Sequence, residues 1–187
     1  MLTSVFRPVP TRVLGATAND KKWVIARQLA LMCCKDLLPF DIVDKPGFVK
    51  FLIQNNAVKQ EGDLPDATTL SHSALNTVYD EIVTAVKDVI NKARKTVAVT
   101  TDMWTDNYRR RSFMAVTLHF CLPDFTLQSI VLKTAVFTEA HTGDNIEAEL
   151  KKTLTFFGLE DKTVVYVTDQ GSNIQKACRN MESESGV

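Results

Sequence analysis

Two aspartates that follow similar β-branched segments are the residues best placed to do chemistry. The sequence reads VTTD at 99–102 and YVTD at 166–169, so Asp102 and Asp169 each end such a segment. If the two segments form adjacent parallel strands, about 4.8 Å apart, both carboxylates are within reach of one divalent cation. Mg²⁺ held in this way supports phosphoryl transfer, because it activates an attacking oxygen and stabilises a leaving one. The alternative is that each Asp only caps the turn after its strand, and the spacing alone leaves both open.

The second half of the chain has the alternating, β-branched pattern of strands. Four segments have this pattern: 96–102, 112–121, 126–137 and 163–169. The second and third are joined by the turn-like sequence LPDF at 122–125, so they are expected to pair antiparallel. Thr142 is predicted to cap a helix that ends at Gly158, and a last helix is predicted to start at 171–173.

This order of elements predicts a mixed sheet. Three strands form an antiparallel meander, and a right-handed helical crossover brings the fourth strand parallel to the first, on its open edge. The order β-β-β-α-β-α resembles the opening of the ribonuclease H-like fold, with the sheet incomplete. We therefore predict an α+β or α/β chain with a flexible leader at 1–18, a helical region at 19–95 and the sheet domain at 96–187.

Helical spacing dominates the region before the sheet. A first helix is predicted to start at Asn19 or Asp20 and to end before Pro39, and a short second helix starts at Pro46. A long third helix is predicted to end near residue 95. The residues predicted to face the core of this region are Trp23, Ala26, Ala30, Cys33, Cys34, Leu37, Leu75, Val78, Tyr79, Ile82, Val86, Val89, Ile90 and Ala93.

Composition excludes several classes of protein. The chain has 187 residues, is 45% hydrophobic and has a net charge of zero, as in globular proteins. Residues 1–60 hold nine Lys and Arg against four Asp and Glu, which suits contact with a polyanion but also an ordinary solvated surface. No apolar segment is long enough to cross a membrane. The four cysteines lack C-x-x-C spacing, which predicts neither disulfides nor a zinc finger.

Several motifs resemble the hAT superfamily of DNA transposases, and the hobo/Hermes type most of all. The matching segments are TDMWTDNY at 101–108 and RSFMAVTLHF at 111–120 (first catalytic block), HTGDNI at 141–146 (a helix start), VTDQGSNIQKA at 167–177 (second catalytic block), and LPFDIV at 38–43 with Gly47 and Phe48 (the DNA-binding and dimerisation region). They occur in the family's order and cover nearly the whole chain.

The resemblance implies a nuclear, DDE-type, ribonuclease H-like domain that uses Mg²⁺ or Mn²⁺ to cut and join DNA. Asp102 would be the first acidic metal ligand and Asp169 the second. The family's third acid is a Glu beyond a large helical insertion, and neither Glu182 nor Glu184 is expected to replace it. The family's BED-type zinc finger has no counterpart in this sequence, so no zinc is expected.

The basic residues predicted to contact DNA lie in two places. They are Lys21, Lys22 and Arg27 on the first helix, and Arg109, Arg110 and Arg111 in the turn after the first acidic block. A solvated surface explains both clusters equally well. Trp104, close to Asp102, is expected to pack beneath the site rather than to stack on a base.

We therefore expect a transposase-derived, DNA-binding chain or fragment that is catalytically incomplete, with DNA, further copies or other transposase-derived proteins as partners. One alternative is a domesticated nuclear regulator of transcription. A second is part of an active transposase whose missing acid comes from a longer chain. A full-length transcript that encodes the missing Glu would favour the enzyme, and nuclear DNA occupancy without metal-dependent nicking would favour the regulator. A decayed element without function is a further outcome.

Overall fold

The computed structural model describes residues 18–169 and 171–185 and divides them into two compact units between Ala85 and Val86. The predicted leader at 1–18 lies outside the described residues, except for Ala18, which begins the first helix. The division falls inside a helix, so the last turns of that helix belong to the sheet unit. The predicted boundary between 95 and 96 lies later, in the loop that follows.

The first unit is helical. Its α-helices are α1 (Ala18–Asp36), α2 (Pro46–Gln54) and the first part of α3 (Leu75–Lys92), with 3₁₀ turns at Phe40–Asp44 and Glu61–Asp63 and a π-helical turn at Thr69–Ala74. Pro46 begins α2, where its missing N–H would have had no partner in the helix. The core of the unit consists of Ala26, Leu29, Ala30, Cys33, Val43, Val49, Val58, Leu64, Leu70, Ala74 and Val78.

Four residues predicted to face this core are exposed instead. Trp23, in the second turn of α1, is 39% exposed. Leu37 is 91% exposed because it follows α1 in the left-handed conformation, with φ of 54°, and so leaves the helical face. The Leu38 N–H donates to the Cys33 carbonyl at 2.9 Å, which closes the end of α1 around Leu37. Tyr79 is 56% exposed, and Cys34 is exposed while Cys33 is buried. Helical spacing predicted a core position for Tyr79, and its small apolar side chain predicted one for Cys34, but the described residues of this unit leave both exposed.

The second unit contains the predicted mixed sheet. Its elements are β1 (Thr96–Asp106), β2 (Arg111–Cys121), β3 (Leu127–Phe137), α4 (Gly143–Phe156), β4 (Thr163–Thr168) and α5 (Ser172–Ser185). The strand order is β3-β2-β1-β4, with β4 parallel to β1 and the other pairs antiparallel. The predicted fold class and the place of the fourth strand are therefore confirmed.

Local signals in the sequence explain the connections. The Thr142 hydroxyl accepts from the Asn145 N–H at 3.3 Å and caps α4, as predicted. In the β2–β3 turn the Phe125 N–H donates to the Leu122 carbonyl at 2.9 Å. Asp124 supports the same turn, because its carboxylate accepts from the Thr126 N–H at 3.0 Å.

The two faces of the sheet differ in what covers them. On the covered face, Val97, Val99 and Thr101 are buried, and α4 is tied to this face by an ion pair between Glu149 and Lys133 of β3. The opposite face, called the open face below, keeps large apolar side chains in contact with solvent. These are Trp104, Val131, Val136, Val165 and Val167, with exposed fractions of 42%, 61%, 46%, 46% and 52%.

Candidate metal-binding site

Asp102 and Asp169 follow equivalent positions of the neighbouring strands β1 and β4. The last register pair of the parallel ladder is Thr101 with Thr168, and the two aspartates follow immediately. Strands in a sheet lie about 4.8 Å apart, so the two residues leave the ladder side by side. Strand alternation places Asp102 on the open face, because Thr101 before it is buried on the covered face.

Asp102 lies inside β1 rather than at its end, which differs from the predicted strand 96–102. The strand continues because β1 pairs with β2 from Asp102, opposite Ala115, through to Asp106, opposite Arg111. The Asp102 side chain is exposed, and within the part of the chain that the structure describes no hydrogen bond or ion pair is formed by its carboxylate. Its oxygens are therefore open to a ligand from solvent.

Asp169 has a structural role as well. Its Oδ1 accepts from the Gly171 N–H at 3.0 Å, which forms the turn between β4 and α5. A Cβ at position 171 would lie 3.0 Å from the same oxygen, so glycine leaves room for this carboxylate. The turn-capping interpretation of Asp169 is thus observed, and among the described residues its Oδ1 alone takes part, while the side chain is exposed.

Among the side chains that the structure describes, no group of three or more His, Cys, Asp or Glu residues is placed to hold a metal ion. Glu182 on α5 acts elsewhere, since its charge helps to raise the pKa values of Tyr166 and Cys178, after the larger effect of their burial. Tyr166 pairs with Val99 on the covered face, whereas Asp102 lies on the open one. The side chain of Glu184 lies outside the described residues.

Trp104, the aromatic residue near Asp102, is partly exposed and also contacts another ring. Trp104 is 42% exposed and stacks on Phe113 of β2, with ring centroids 5.4 Å apart and an interplanar angle of 14°. The two residues face each other in the register of β1 and β2. Trp104 therefore packs on the open face of the sheet beside Asp102, rather than beneath the site as predicted.

The basic residues predicted on α1 are partly occupied by other contacts. Arg27 forms an ion pair and hydrogen bonds with Glu81, and its side chain is only 17% exposed. Lys22 donates to the Gly62 carbonyl at 3.2 Å, and Lys21 is exposed. The first helix therefore presents less free positive charge than its sequence indicates.

The second basic cluster lies at the tip of the β1–β2 hairpin. Arg109, Arg110 and Arg111 are exposed there, next to Tyr108, which is 93% exposed. Sequence reasoning gave Tyr108 no role of its own. The sequence does place Tyr108 in a short polar segment between two predicted strands, where an exposed ring is expected.

Comparison with known proteins confirms the transposase resemblance. Residues 100–185 match the family model "ZBED1 RNase-like domain". The chain is 34% identical over 182 residues to the "Transposable element Hobo transposase" of Drosophila melanogaster, with 90% of this chain and 28% of the transposase covered. It is 26% identical over 165 residues to the "Putative transcriptional regulator tpeD" of Talaromyces stipitatus, with 88% of this chain and 19% of the regulator covered.

These matches and the mixed sheet define a chain with a ribonuclease H-like unit preceded by helices. The similarity of the chain to the Hobo transposase extends across both units. It spans less than a third of the length of either curated relative. In the part of the chain that the structure describes, no helix is long and apolar enough to cross a membrane.

Proposed function

We propose that this chain carries the first two acidic ligands of a DDE-type site that acts on DNA. The observation that supports it is the register of β1 and β4, which brings Asp102 and Asp169 side by side. The proposal includes DNA as the partner, assembly with further copies or other transposase-derived chains, and the nucleus as the place of action. Cleavage would require a third carboxylate in addition to these two.

The residues present fit Mg²⁺ or Mn²⁺ as part of a site. Both are hard cations that prefer oxygen ligands, and two carboxylates on neighbouring strands supply such ligands. When bound, the cation would activate an attacking oxygen and stabilise a leaving one. Asp102 and Asp169 would hold the cation through their carboxylate oxygens, and the hydrogen bond from the Gly171 N–H would help to orient Asp169. Without a cation the two negative charges repel each other.

Calorimetric titration of the full chain with Mn²⁺ tests the proposal. The test variant is Asp102→Asn/Asp169→Asn, which removes both charges and keeps the side-chain shapes. The matched control is Asp80→Asn/Asp88→Asn, since both of these residues are exposed on α3. We expect wild type and control to bind at a dissociation constant of about 1 mM, as weak carboxylate sites do, and the test variant to lose this binding. Equal heats from all three proteins would refute a shared cation site.

Cleavage is tested separately on a DNA substrate that carries a transposon-like end. We expect the chain alone to leave the strand uncut in Mn²⁺, because two carboxylates leave transition-state charge uncompensated. Nicking that depends on Asp102 and Asp169 would instead support the active enzyme, with the third acid supplied from elsewhere. Chromatin occupancy of the natural gene product, measured in parallel, tests the nuclear location.

A second candidate function is regulation of transcription. The observation that favours it is the similarity to a relative named as a transcriptional regulator, which covers 88% of this chain. Under this hypothesis DNA binding persists in the Asp102→Asn/Asp169→Asn variant and no nicking occurs. Loss of DNA binding in that variant would favour the metal-dependent site over regulation.

A further inference from the structure

The tip of the β1–β2 hairpin combines an exposed aromatic ring with three positive charges. We define this arginine hairpin as residues 106–111. Tyr108 is 93% exposed, and Arg109, Arg110 and Arg111 follow it in sequence. Among the residues that the structure describes, none forms an ion pair or hydrogen bond with the three guanidinium groups. An exposed aromatic ring beside three unpaired positive charges is the combination expected of a ligand-binding surface.

The side chain of Asp106 holds the backbone of the arginine hairpin in place. The Asp106 carboxylate accepts from the Tyr108 N–H at 2.9 Å and from the Arg109 N–H at 3.4 Å. Arg110 takes the left-handed conformation, with φ of 50°, which completes the turn. Below the tip, Thr105 and Ser112 share a hydrogen bond of 3.0 Å across the two strands. A preorganised tip loses little conformational entropy when it binds a ligand.

The hairpin is an extension of the strand that carries Asp102. The register of β1 and β2 continues from Asp102 to Asp106, a distance of about 13 Å at roughly 3.3 Å per residue. That distance corresponds to about four base steps of B-form DNA, at about 3.4 Å each. A DNA strand that lies at the two carboxylates therefore has nucleotides about four positions away within reach of the hairpin tip.

We propose that the arginine hairpin binds unpaired nucleotides next to the carboxylate site. This inference rests on the proposed action on DNA and specifies which form of DNA is recognised. Guanidinium groups bind phosphates on either form of DNA and do not distinguish them. A protruding ring such as Tyr108 stacks only on a base whose face is free, so it favours a single strand over a blunt duplex.

An acidic protein segment is the other class of ligand that arginines attract. It would have no use for the exposed ring, and it would bring further carboxylates toward Asp102 and Asp169. Nucleic acid is negatively charged as well, but it offers both phosphates for the arginines and base faces for the ring. The pairing of the two residue types therefore favours nucleic acid.

Fluorescence anisotropy with the full chain tests the inference. The probes are a labelled 12-nucleotide single strand and a blunt duplex of the same sequence, without divalent metal. Tyr108→Ala is expected to weaken single-strand binding by about tenfold and duplex binding by less than about twofold. Tyr79→Ala, which removes a 56% exposed tyrosine from α3, is the matched control and is expected to change neither.

The charges are tested by Arg109→Gln/Arg111→Gln, which leaves the left-handed position 110 intact. We expect weaker binding of both probes and a decrease of about 1.4 in the slope of log affinity against log salt, for two lost contacts on a single strand. Lys50→Gln/Lys59→Gln is the control, because both lysines are exposed in the helical unit. Circular dichroism of every variant verifies that it is folded.

Four outcomes would overturn the inference. They are equal losses on both probes in Tyr108→Ala, an effect no larger than that of Tyr79→Ala, full competition by a polyglutamate peptide, and no binding of either probe by wild type. None of these results depends on the Mn²⁺ titration. Failure of the hairpin and failure of the carboxylate site are therefore distinguished.

Discussion

Valine truncation on the two faces of the sheet should have clearly different costs. Val99 on β1 is fully buried on the covered face, whereas Val167 on the neighbouring β4 is 52% exposed on the open face. Val99→Ala and Val167→Ala are the same chemical change in adjacent strands, so differences in β-propensity largely cancel. The comparison therefore isolates burial.

The expected magnitudes follow from the exposed fractions. At Val99 the lost groups are worth about 1.6 kcal/mol, at roughly 0.8 kcal/mol per methylene. A cavity of about 50 Å³ that does not collapse adds about 1.2 kcal/mol, which gives a total of about 2.8 kcal/mol. At Val167 about half of the transfer term, roughly 0.8 kcal/mol, is lost, and water fills the space. The free energies of unfolding should thus differ by about 2 kcal/mol.

Urea unfolding followed by tryptophan fluorescence measures this difference. The chain has two tryptophans, and a Trp23→Phe background leaves Trp104 to report on the sheet unit alone. With a slope of about 1.5 kcal/mol per molar urea, the two midpoints should lie more than about 1 M apart. Equal midpoints, or a larger cost at Val167, would show that the open face is buried in solution and would refute the assignment of the faces.

Three further changes have outcomes that the structure fixes. Gly143→Ala should destabilise the sheet unit by about 1–3 kcal/mol in the same assay. The reason is that the new alanine Cβ would lie 2.8 Å from the Cδ and 3.0 Å from the Cβ of Lys176. An unchanged midpoint would contradict the packing of α4 on α5. Burial raises the pKa of Tyr166 to about 12 and that of Cys178 to about 11. The pKa values of these two groups are therefore higher in the folded than in the unfolded state. The melting temperature should be at its full value below about pH 9 and decrease as the pH rises toward about 12. Tyr166→Phe/Cys178→Ala should flatten this decline, and an identical profile would exclude the two groups as its cause. Under brief N-ethylmaleimide treatment, peptide mass spectrometry should find Cys34 modified before the buried Cys178, and the reverse order would contradict their exposures.

The order of the strands could be predicted because few connections are allowed. A short turn such as 122–125 forces an antiparallel neighbour, and a helical crossover must return a parallel strand on one side. The open edge of the first strand was then the natural place for β4. The length of β1 was harder to predict, because its residues 103–106 are held by pairing with residues 111–114 of β2, and the alternating pattern of 96–102 does not indicate this contact.

Tyr79 and Leu37 show that sequence periodicity does not tell which parts of a helical face are buried. Spacing assigns Tyr79 to a face of α3 but does not tell whether another element covers that part of the face. Leu37 continues the spacing of α1, yet the helix ends before it and the backbone turns to positive φ. Glycine is the usual residue there, so the leucine gave no signal of the turn.

The capping and the cation-binding hypotheses for Asp102 and Asp169 are compatible. Oδ1 of Asp169 accepts from Gly171, as a capping aspartate does, while its neighbour Asp102 makes no such contact within the described residues. A cap fixes the direction of one carboxylate without using all of its lone pairs. Asp169 is therefore partly oriented before any cation binds, and the freedom that remains to be lost belongs mainly to Asp102.

The exposure of these two carboxylates sets the strength of the proposed site. Exposed carboxylates interact with a cation in a medium close to water, where the attraction between unit charges at 4 Å is only about 1 kcal/mol. An element that covered Val165 and Val167 would also approach Asp102 and Asp169 and lower the local dielectric. A dissociation constant near 1 mM is thus the value expected for this chain alone. Micromolar binding by the wild type, lost in the double Asn variant, would mean that the open face is covered in solution, and the Val167→Ala experiment would show the same burial independently.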